Sequence, residues 1–498
     1  MDPLRTSYDE VAYPTRPQSA LHPDRLGGIG LLHGFGCVPL DGARVLEIGC
    51  GNGFNLISLA AGHPGARFVG LDAAAVAIGA ARDLAARCGL RNIEFLSARL
   101  EDQVLVGEEF DYVLCHGVYS WVPEATRASL LGLVSRCLAL RGVAFVSYNA
   151  LPGWHVRSPV REILQWHVRE IRGAGEQLEE AKALSHFLAG AIVEDTPAGK
   201  ALRAEFASAA ARDPQVLWHD ELSPEHRAFY FHEFIAAAEA HGLSYLADAD
   251  LIEHMLANMD PRVVSALRSV AANRIELEQY VDFLVPRRFR QTLLVRSGQV
   301  VGEADVQRLA EGWVRAGASL KESENQPGVG KARFESGKGH SLETDFGPGV
   351  RALRLLMAAV PSRVSVPELV RRVGDEGLWA RADLIRFLFE AAAGGLVEWA
   401  ATGSCPAVQP GGHPTAFGPA RVLAETSTEL PSALHRLVRL EESAPRELLR
   451  LCDGTRTRDQ LLQALLETKS KPDAETIQSR PQLDEVLGQL GRMGLFVG

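Results

Sequence analysis

A glycine-rich turn and two acidic side chains near the start of the chain could together hold a polar ligand. The turn is the segment EIGCGNG at 47–53, which follows an apolar run and precedes a stretch with helical spacing. Its glycines let the backbone pass close beneath a ligand, and the first amides of the following helix favour a negative or polar group. A dinucleotide-binding fingerprint would need glycine at position 54, where the chain has Phe54.

The two acids indicate which ligand the turn would hold. Glu47 precedes the glycines, where a carboxylate can hold an ammonium such as that of the methionine moiety of S-adenosylmethionine. Asp72 ends the next apolar run and can accept hydrogen bonds from both hydroxyls of a ribose. Each feature alone would also suit a tight turn or an ordinary strand-end acid. Together they predict S-adenosylmethionine as the cofactor, held by residues of the turn and its surroundings: Glu47, Gly49, Cys50, Gly51, Gly53, Asn55 and Asp72.

A second group of candidate residues lies in FVSYNALPGW at 145–154, where an apolar run ends in aromatic and amide side chains. Methyl transfer from a sulfonium is an in-line displacement, so the protein must align the nucleophile, exclude water and keep an amine neutral. Burial among aromatic rings disfavours a charged amine, and aromatic faces attract a sulfonium or an incoming ammonium. We therefore predict that Tyr148, Asn149 and Trp154 act on the methyl acceptor.

Further candidates come from the neighbouring turns. Tyr119 and Trp121 are expected to form the adjoining wall of the acceptor pocket, and Tyr13 is expected to fold over the site; ordinary packing is the alternative for all three. His116 could relay a proton or bind the methionine carboxylate, or it could be a structural histidine. Gly117, beside His116, is a further cofactor candidate.

The histidines and acids at 219–232 invite a metal-site interpretation. His219, Asp220, Glu221, His226 and His232 match no H-E-x-x-H or comparable ligand spacing, and several would fall on different faces of a helix. No metal site is predicted.

These candidates need a sheet that brings strand ends together. Five apolar runs, each followed by a turn or helix, predict parallel strands with helical crossovers: 43–49, 66–72, 92–98, 110–117 and 142–148. In such a doubly wound sheet, ligands bind beyond the carboxyl ends of the strands. The runs at 244–250 and 293–298 are expected to complete a seven-stranded sheet, with mostly helical insertions at about 155–225 and 251–285 forming a lid.

The motifs of this α/β sheet resemble those of the class I S-adenosylmethionine-dependent methyltransferases. CHGVYSWVP at 115–123, SYNALPGWH at 147–155 and the opening SYDEVAYPTRPQSALHPDRL at 7–26 look like the bacterial enzymes that carry a methyltransferase regulatory domain, a group that includes the rickettsial-type protein lysine methyltransferases. Residues 217–298 include two segments that look like that regulatory region. The family usually binds adenine near an acid after the third strand; here Ser97 or a backbone group would take that role.

The second half is expected to serve recognition. Residues 301–348 include a Gly- and charge-rich stretch and are predicted to be a linker or an exposed hairpin. Residues 349–402 and 403–498 each have the pattern of a winged helix. The first resembles the C-terminal winged-helix domain of the lysine methyltransferases, and the second shares a D-G-T-R-T turn with small leader-peptide-binding domains. Arg371 and Arg372 are offset by nearby acids, so protein recognition or homodimerisation is favoured over nucleic-acid binding. A domain that only packs on the catalytic one is the alternative.

Composition limits the remaining function classes. The 498 residues are enough for several domains, and a net charge of −10 with a pI near 5.9 argues against a general nucleic-acid binder. The seven cysteines contain no C-x-x-C pair, and the most hydrophobic window is interrupted by arginines, so no disulfide framework or membrane span is expected. We predict that the protein is a cytoplasmic methyltransferase and that residues 1–300 form its methyltransferase domain. The expected acceptor is a nitrogen of a protein or peptide, lysine being favoured. N- or O-methylation of a small metabolite and a non-catalytic S-adenosylmethionine-binding regulator remain the alternatives.

Overall fold

The structure is a computed structural model that describes residues 15–102, 104–318, 320–323, 331–337, 339–374, 381–467 and 477–498. Its centre is one seven-stranded sheet of order β3-β2-β1-β4-β5-β7-β6. The strands are β1 (Arg44–Ile48), β2 (Arg67–Asp72), β3 (Ile93–Ser97), β4 (Phe110–Cys115), β5 (Leu138–Asn149), β6 (Leu243–Asp248) and β7 (Phe289–Arg296). The predicted seven-stranded α/β sheet is confirmed.

The first five strands are parallel, whereas β7 runs antiparallel between β5 and β6. β4 is buried at every position because helices cover both faces of the sheet, which explains its continuous apolar sequence. Alternate residues of the strands enter two separate cores, so that Val45 packs on one face and Leu46 on the other.

Helices cover the two faces of the sheet. Pro23–Leu32, Phe54–Gly62 and Ala75–Arg87 pack on the face of Val45, while Glu124–Cys137 and Phe231–Glu239 pack on the face of Leu46. The carboxyl ends of the parallel strands therefore open at one edge of the sheet between these layers, where the predicted site residues lie.

Two helical insertions follow β5 and β6. The first contains Ser158–Val168, Ala174–Ala191, Pro197–Ala210 and Pro214–Leu217, followed by a wide turn at Trp218–Leu222. The second contains Ile252–Ala257, Pro261–Val270 and Arg274–Leu284. Thr196, Asp213 and Asp260 each precede a proline at a helix start and accept a backbone N–H there, so the local sequence sets where these helices begin. The first insertion has its own small core around Leu164 and Phe206.

The segment predicted as a linker is partly a structural strand. Trp313–Ala316, within 301–348, lies in the middle of a three-stranded sheet between Val364–Ser365 and Val397–Ala400. Its partners are far away in sequence, so no local pattern marked it as a strand. The rest of this segment includes a short helix and an antiparallel sheet: Val306–Glu311, Lys321–Glu322, Ala332–Glu335 and Ser341–Thr344.

The middle domain consists of this three-stranded sheet and three helices that pack on it, Gly347–Ala359, Val366–Val373 and Arg381–Ala393. Its core is continuous with that of the seven-stranded sheet, because Val314 and Leu353 belong to the same buried cluster as Leu26 of the helix Pro23–Leu32. The middle domain is therefore joined to the sheet by a shared apolar core.

The last domain has a separate core around Phe417, Leu448 and Leu487. Its helices are Gly418–Leu423, Ser443–Leu451, Arg458–Glu467 and Arg480–Arg492, and its strands are Thr415–Ala416, Glu429–Pro431, Leu437–Arg439 and Phe496–Val497. Within the ranges given above, no helix combines the length and apolar character that a membrane crossing would need.

Candidate active site

The turn after β1 has a backbone that suits only glycine at its key positions. Gly49, Gly51 and Gly53 have φ of 74°, 53° and 69°. A Cβ on Gly49 would lie 2.3 Å from Val118 Cγ2, and one on Gly53 would lie 2.4 Å from Phe95 Cζ. A side chain at either position would therefore be strained and would also collide with its neighbour.

The backbone carbonyl of Leu71 and the carboxylate of Asp72, at the end of β2, hold this turn through hydrogen bonds. The amides of Gly49 and Cys50 donate to Leu71 O at 2.8 and 3.3 Å, and the amide of Gly51 donates to Asp72 Oδ2 at 2.8 Å. The Cys50 side chain is buried, and burial raises the pKa of its thiol. The predicted contact of Cys50 with the cofactor can therefore come only from its backbone or its neutral thiol.

Glu47 is the group that would receive a cation. Its side chain is 5% exposed, and its Oε1 accepts a hydrogen bond from Asn55 Nδ2 at 3.1 Å. Its Oε2 is buried without a hydrogen-bond partner in the described part of the chain. Burial raises the pKa of Glu47 to about 8. A carboxylate oxygen left in this state fits the ammonium of S-adenosylmethionine, which would supply both the missing donor and a compensating charge.

Asp72 ties the turn to the next helix. Its Oδ2 accepts the Gly51 N–H, and its Oδ1 accepts the Ala74 N–H at 2.8 Å. Each carboxylate oxygen can accept a further hydrogen bond, so this arrangement remains compatible with the predicted ribose contact. Ser97 ends β3 directly beside Asp72 and is exposed, which places its hydroxyl where an adenine contact is predicted.

His116 is held by a serine that the sequence did not single out. The Gly117 amide donates to Ser147 Oγ at 2.8 Å, and Ser147 Oγ lies 3.1 Å from His116 Nδ1. Ser147 Oγ accepts from the Gly117 amide and can either donate to Nδ1 or accept from it, so this contact holds the ring in place in either neutral tautomer. Burial lowers the pKa of His116 to about 4, so the ring is neutral at neutral pH.

Trp121, which follows β4, and Trp154, which follows β5, pack against His226, a residue whose sequence context suggested only a metal ligand. Trp121 and Trp154 lie with ring centroids 6.3 Å apart, and the ring of His226 is 4.7 Å from Trp121 and 4.8 Å from Trp154. Asn149 Nδ2 is 3.0 Å from His226 Nε2. The structure thus brings together Asn149, Trp121 and Trp154, as expected, and adds His226.

The backbone explains how His226 reaches this place. Phe229 forms a bridge with Ala150, and its N–H donates to Asn149 O at 2.9 Å. Residues 226–229 therefore run along the end of β5. No spacing in the sequence could show this, because the pairing is made between segments separated by a helical insertion.

Two arginines line the outer side of the aromatic cluster. The Arg157 guanidinium lies 4.5 Å from the Trp154 ring centroid, and that of Arg161 lies 5.4 Å from that of Trp121. Arg157 is paired with Glu221 at 2.6 Å. Burial, then the positive charges of Arg161 and Arg157, lower the pKa of His226 to about 3. The same surroundings disfavour a protonated amine.

Tyr119 and Tyr148 lie elsewhere, which corrects their predicted roles. Tyr148 is 1% exposed, stacks on Phe234 with centroids 4.1 Å apart, and its hydroxyl lies 3.1 Å from Thr292 Oγ1. Tyr119 packs 5.1 Å from the same Phe234 ring. Successive residues of a strand face opposite ways, so Tyr148 points into the core beneath the helix Phe231–Glu239 while Ser147 and Asn149 face the other side. Tyr13 lies outside the described residues.

The acidic and histidine residues at 219–232 form no metal centre in the described ranges, where no three candidate ligands come together. Asp220 and Glu221 instead pair with Arg157, and His232 Nδ1 lies 2.9 Å from Gln279 Oε1.

Comparison with known families matches three parts of the chain. A methyltransferase domain matches 45–142, a predicted methyltransferase regulatory domain matches 213–296, and the C-terminal winged-helix domain of the PKMT group matches 413–491. The last match falls on the final domain, so the assignment of that winged helix to 349–402 was wrong. The regulatory-domain match contains β6 and β7, which are part of the seven-stranded sheet.

Two uncharacterized proteins of Rickettsia prowazekii are similar in sequence. RP789 is 36% identical over 288 residues, which cover 58% of this chain and 52% of that protein. RP028 is 32% identical over 236 residues, which cover 47% of this chain and 94% of that protein. The matched region thus spans about half of RP789.

The whole fold is similar to that of PKMT2 from Rickettsia typhi. The TM-score is 0.82 at 24% sequence identity, with 98% of this chain and 100% of the other covered. The structure of PKMT2 in complex with AdoHcy gives a TM-score of 0.81. The arrangement of all the domains is therefore shared over nearly the full length.

Proposed function

This chain belongs to the class I S-adenosylmethionine-dependent methyltransferases that carry a methyltransferase regulatory domain, and from that premise we propose that it methylates a nitrogen of a protein or peptide, with lysine as the favoured acceptor. The single observation that carries the proposal is the cluster of Asn149, His226, Trp121 and Trp154 at the end of β5. It offers an amide oxygen and aromatic walls on the acceptor side of the cofactor turn.

The cofactor residues have separate tasks in this proposal. Glu47 Oε2 accepts the ammonium, Asp72 accepts the ribose hydroxyls, and Ser97 contacts the adenine. The glycines at 49, 51 and 53 let the backbone approach without a side chain in between. When bound, the cofactor supplies a methyl carbon that its sulfonium has activated for in-line attack.

Asn149 positions the amine that receives the methyl group. Its Nδ2 donates to His226 Nε2, so its Oδ1 is the atom that accepts a hydrogen bond from the incoming amine. This bond aligns the nitrogen while its lone pair stays available for attack. The neutral His226 ring fixes the orientation of the amide and closes the pocket between the two indoles.

The pocket must also favour the neutral amine. A free lysine amine has a pKa of about 10.4, so only a small fraction is nucleophilic at neutral pH. Burial among Trp121, Trp154 and His226, with Arg157 and Arg161 behind the indoles, opposes the charged form. Exclusion of water by the same rings completes what the protein contributes to the displacement.

A protein acceptor is supported by two observations. The fold similarity to PKMT2 extends over all domains, including those beyond the catalytic sheet, and the net charge of −10 favours association with basic, lysine-rich partners. A small-metabolite enzyme would have no evident use for the two further domains.

The test is incubation of the purified protein with methyl-labelled S-adenosylmethionine and a cell extract, followed by separation of labelled products by size. We expect label in macromolecules, on lysine side chains identified by mass spectrometry, and labelling that is about 10- to 100-fold slower with Asn149→Ala. Label confined to small compounds would support the metabolite alternative. Cofactor binding without any transfer would support the regulator.

A further inference from the structure

The hairpin of the last domain enters the catalytic domain. Its strands are Glu429–Pro431 and Leu437–Arg439, and residues 432–436 form its tip. His435, at this tip, is 2% exposed and has a φ of 56°, a left-handed conformation that histidine, asparagine and aspartate tolerate better than most residues. A winged helix normally leaves such a hairpin exposed, whereas here it is buried.

His435 contacts the first turn of the helix that follows the cofactor turn. Its Nε2 is 2.9 Å from Asn55 Oδ1, and its Nδ1 is 3.3 Å from Ser58 Oγ. Its ring also packs edge-on to His22, with centroids 5.5 Å apart. Asn55 and Ser58 are both 3% exposed, so these bonds are formed in a dry interface.

The hydrogen-bond directions in this interface follow from one backbone amide. The Gln18 N–H donates to Asn55 Oδ1 at 3.0 Å, which identifies that atom as the oxygen. His435 Nε2 must therefore carry a proton and donate to the same oxygen. The other side of the amide, Asn55 Nδ2, then donates to Glu47 Oε1 at 3.1 Å.

These bonds form a continuous path from the last domain to the cofactor site. We propose that His435 is a positioning residue: the hairpin tip orients Asn55, and through it the carboxylate of Glu47, for the ammonium of the cofactor. The proposal rests on the assignment of Glu47 to that ammonium. It gives the last domain a role in cofactor binding beside any role in recognising a partner.

Contacts with the rest of the last domain and with the middle domain hold the hairpin tip in position. The Ala433 N–H donates to Gly494 O at 2.8 Å within the last domain. Arg436 pairs with Glu398 of the middle domain, which also binds Arg315 at 2.7 Å. A shift of the last domain would therefore move His435 relative to Asn55. The same burial leaves this hairpin unable to enter a nucleic-acid groove.

Two substitutions separate this role from mere packing. The His435→Gln side chain can place its amide nitrogen where Nε2 lies and so keep the bond to Asn55. The His435→Asn side chain reaches only the position of Nδ1 and loses that bond, but it suits the left-handed backbone better than glutamine does. A positioning role and a structural role therefore predict opposite orders for the two variants.

Calorimetry with two ligands supplies the readout. S-adenosylhomocysteine has the ammonium, and 5′-methylthioadenosine lacks the amino-acid moiety. We expect His435→Asn to weaken S-adenosylhomocysteine binding by about tenfold, as for the loss of one hydrogen bond between neutral groups, with methylthioadenosine within about twofold of the wild type. His435→Gln should bind both nearly as the wild type does. Equal weakening of both ligands, or a larger loss for glutamine than for asparagine, would overturn the proposal.

A third variant tests the role of His435 separately from the assignment of Glu47 to the cofactor ammonium. Glu47→Gln must weaken S-adenosylhomocysteine selectively; if it does not, the assignment of Glu47 itself fails. If it does and His435→Asn does not, only the positioning role fails. Should His435→Asn not fold, nitrogen NMR of the wild-type histidines decides: we expect the His435 proton on Nε2 and a change in its resonance with S-adenosylhomocysteine but not with methylthioadenosine. A proton on Nδ1, or no selective change, would refute it.

Discussion

Asn149 Nδ2 donates to His226 Nε2 across 3.0 Å, and this bond joins the end of strand β5 to the region that matches the regulatory domain. The two residues are far apart in sequence, yet their hydrogen bond sets the amide orientation on which the proposed acceptor binding depends. The hydrogen bond also shows that His226 orients Asn149, a role that its spacing from other histidines did not suggest.

We expect Asn149→Ala to lower kcat/KM for the acceptor by about 10- to 100-fold, because a hydrogen bond to a reacting group is worth about 1–3 kcal/mol. His226→Gln, whose amide oxygen can still accept from Asn149, should retain more activity than His226→Ala. The measurement is steady-state kinetics at saturating cofactor.

The control for this pair is Tyr148→Phe, which removes a hydroxyl that lies against Thr292 in the core. It should lower thermal stability but leave kcat/KM within about twofold of the wild type. Full activity of Asn149→Ala would disprove the acceptor pocket.

The pKa of Glu47 predicts a pH-dependent stability. Burial raises this pKa to about 8 from the ordinary 4.5, so between these values the ligand-free native state binds more protons than the unfolded state. Stability must then fall as the pH rises through that window. Glu47→Gln removes the contribution, so the difference in denaturation midpoint between variant and wild type should grow in favour of the variant from pH about 5 to about 8.

Binding of S-adenosylhomocysteine should follow the same group. The ammonium needs an ionised Glu47, so wild-type affinity should rise with pH up to about 8, with a proton released on binding, whereas the affinity of Glu47→Gln should be nearly flat. A flat wild-type profile would mean that Glu47 is already ionised or does not contact the ligand.

Asp72 should contribute to cofactor binding both directly and through the turn. Asp72→Ala loses the bonds to the amides of Gly51 and Ala74 as well as the proposed ribose contact, and we expect about 1–3 kcal/mol weaker cofactor binding. Asp72→Asn keeps one acceptor oxygen and should lie between alanine and the wild type. Calorimetry checks this order, and unchanged affinity in both variants would remove Asp72 from the site.

A buried ion cluster beside β7 should dominate the stability of the regulatory region. Arg290 is fully buried and pairs with Asp282 at 2.8 Å, Glu278 at 3.0 Å and Asp248 at 3.3 Å. Arg290→Met leaves Asp248 and Asp282 with Arg287 as their remaining cation and leaves Glu278 with the hydroxyl of Tyr245. It should lower the free energy of unfolding by about 3–5 kcal/mol.

The matched control is Arg262→Met, which breaks an exposed pair with Asp260. It should leave the unfolding transition where it is, because exposed pairs contribute little. Chemical denaturation monitored by circular dichroism measures both variants. Equal transitions for Arg290→Met and the wild type would show that the cluster contributes no net stability.

Local sequence patterns were enough to predict the seven-stranded sheet and the glycine-rich cofactor turn. The turn at 47–53 combines glycines that must adopt positive φ with an acid and a following helix, and all of these are adjacent in sequence. The seven strands could be predicted because each is a short apolar run bounded by turns, and because parallel strands joined by helices allow few topologies.

The acceptor side could be predicted only in part. Asn149 ends β5 and Trp154 lies in the turn that follows it, so both could be placed from the sequence. The prediction for Tyr148 was wrong because the side chains of a strand alternate between its two faces. A shift of one residue along the strand decides whether a side chain faces the core or the acceptor pocket. His226 and Ser147 gave no local signal, since each acquires its partner from another segment.

The sequence by itself determined the fold class, the cofactor turn and the residues at the strand ends, because these depend on neighbours along the chain. Only the tertiary structure decided that Trp313–Ala316 is a central strand, that His226 orients Asn149, and that His435 of the last domain reaches Asn55 beside Glu47. Such contacts arise when separate elements pack against each other, and hydrogen bonds between distant residues leave no periodic pattern in the chain.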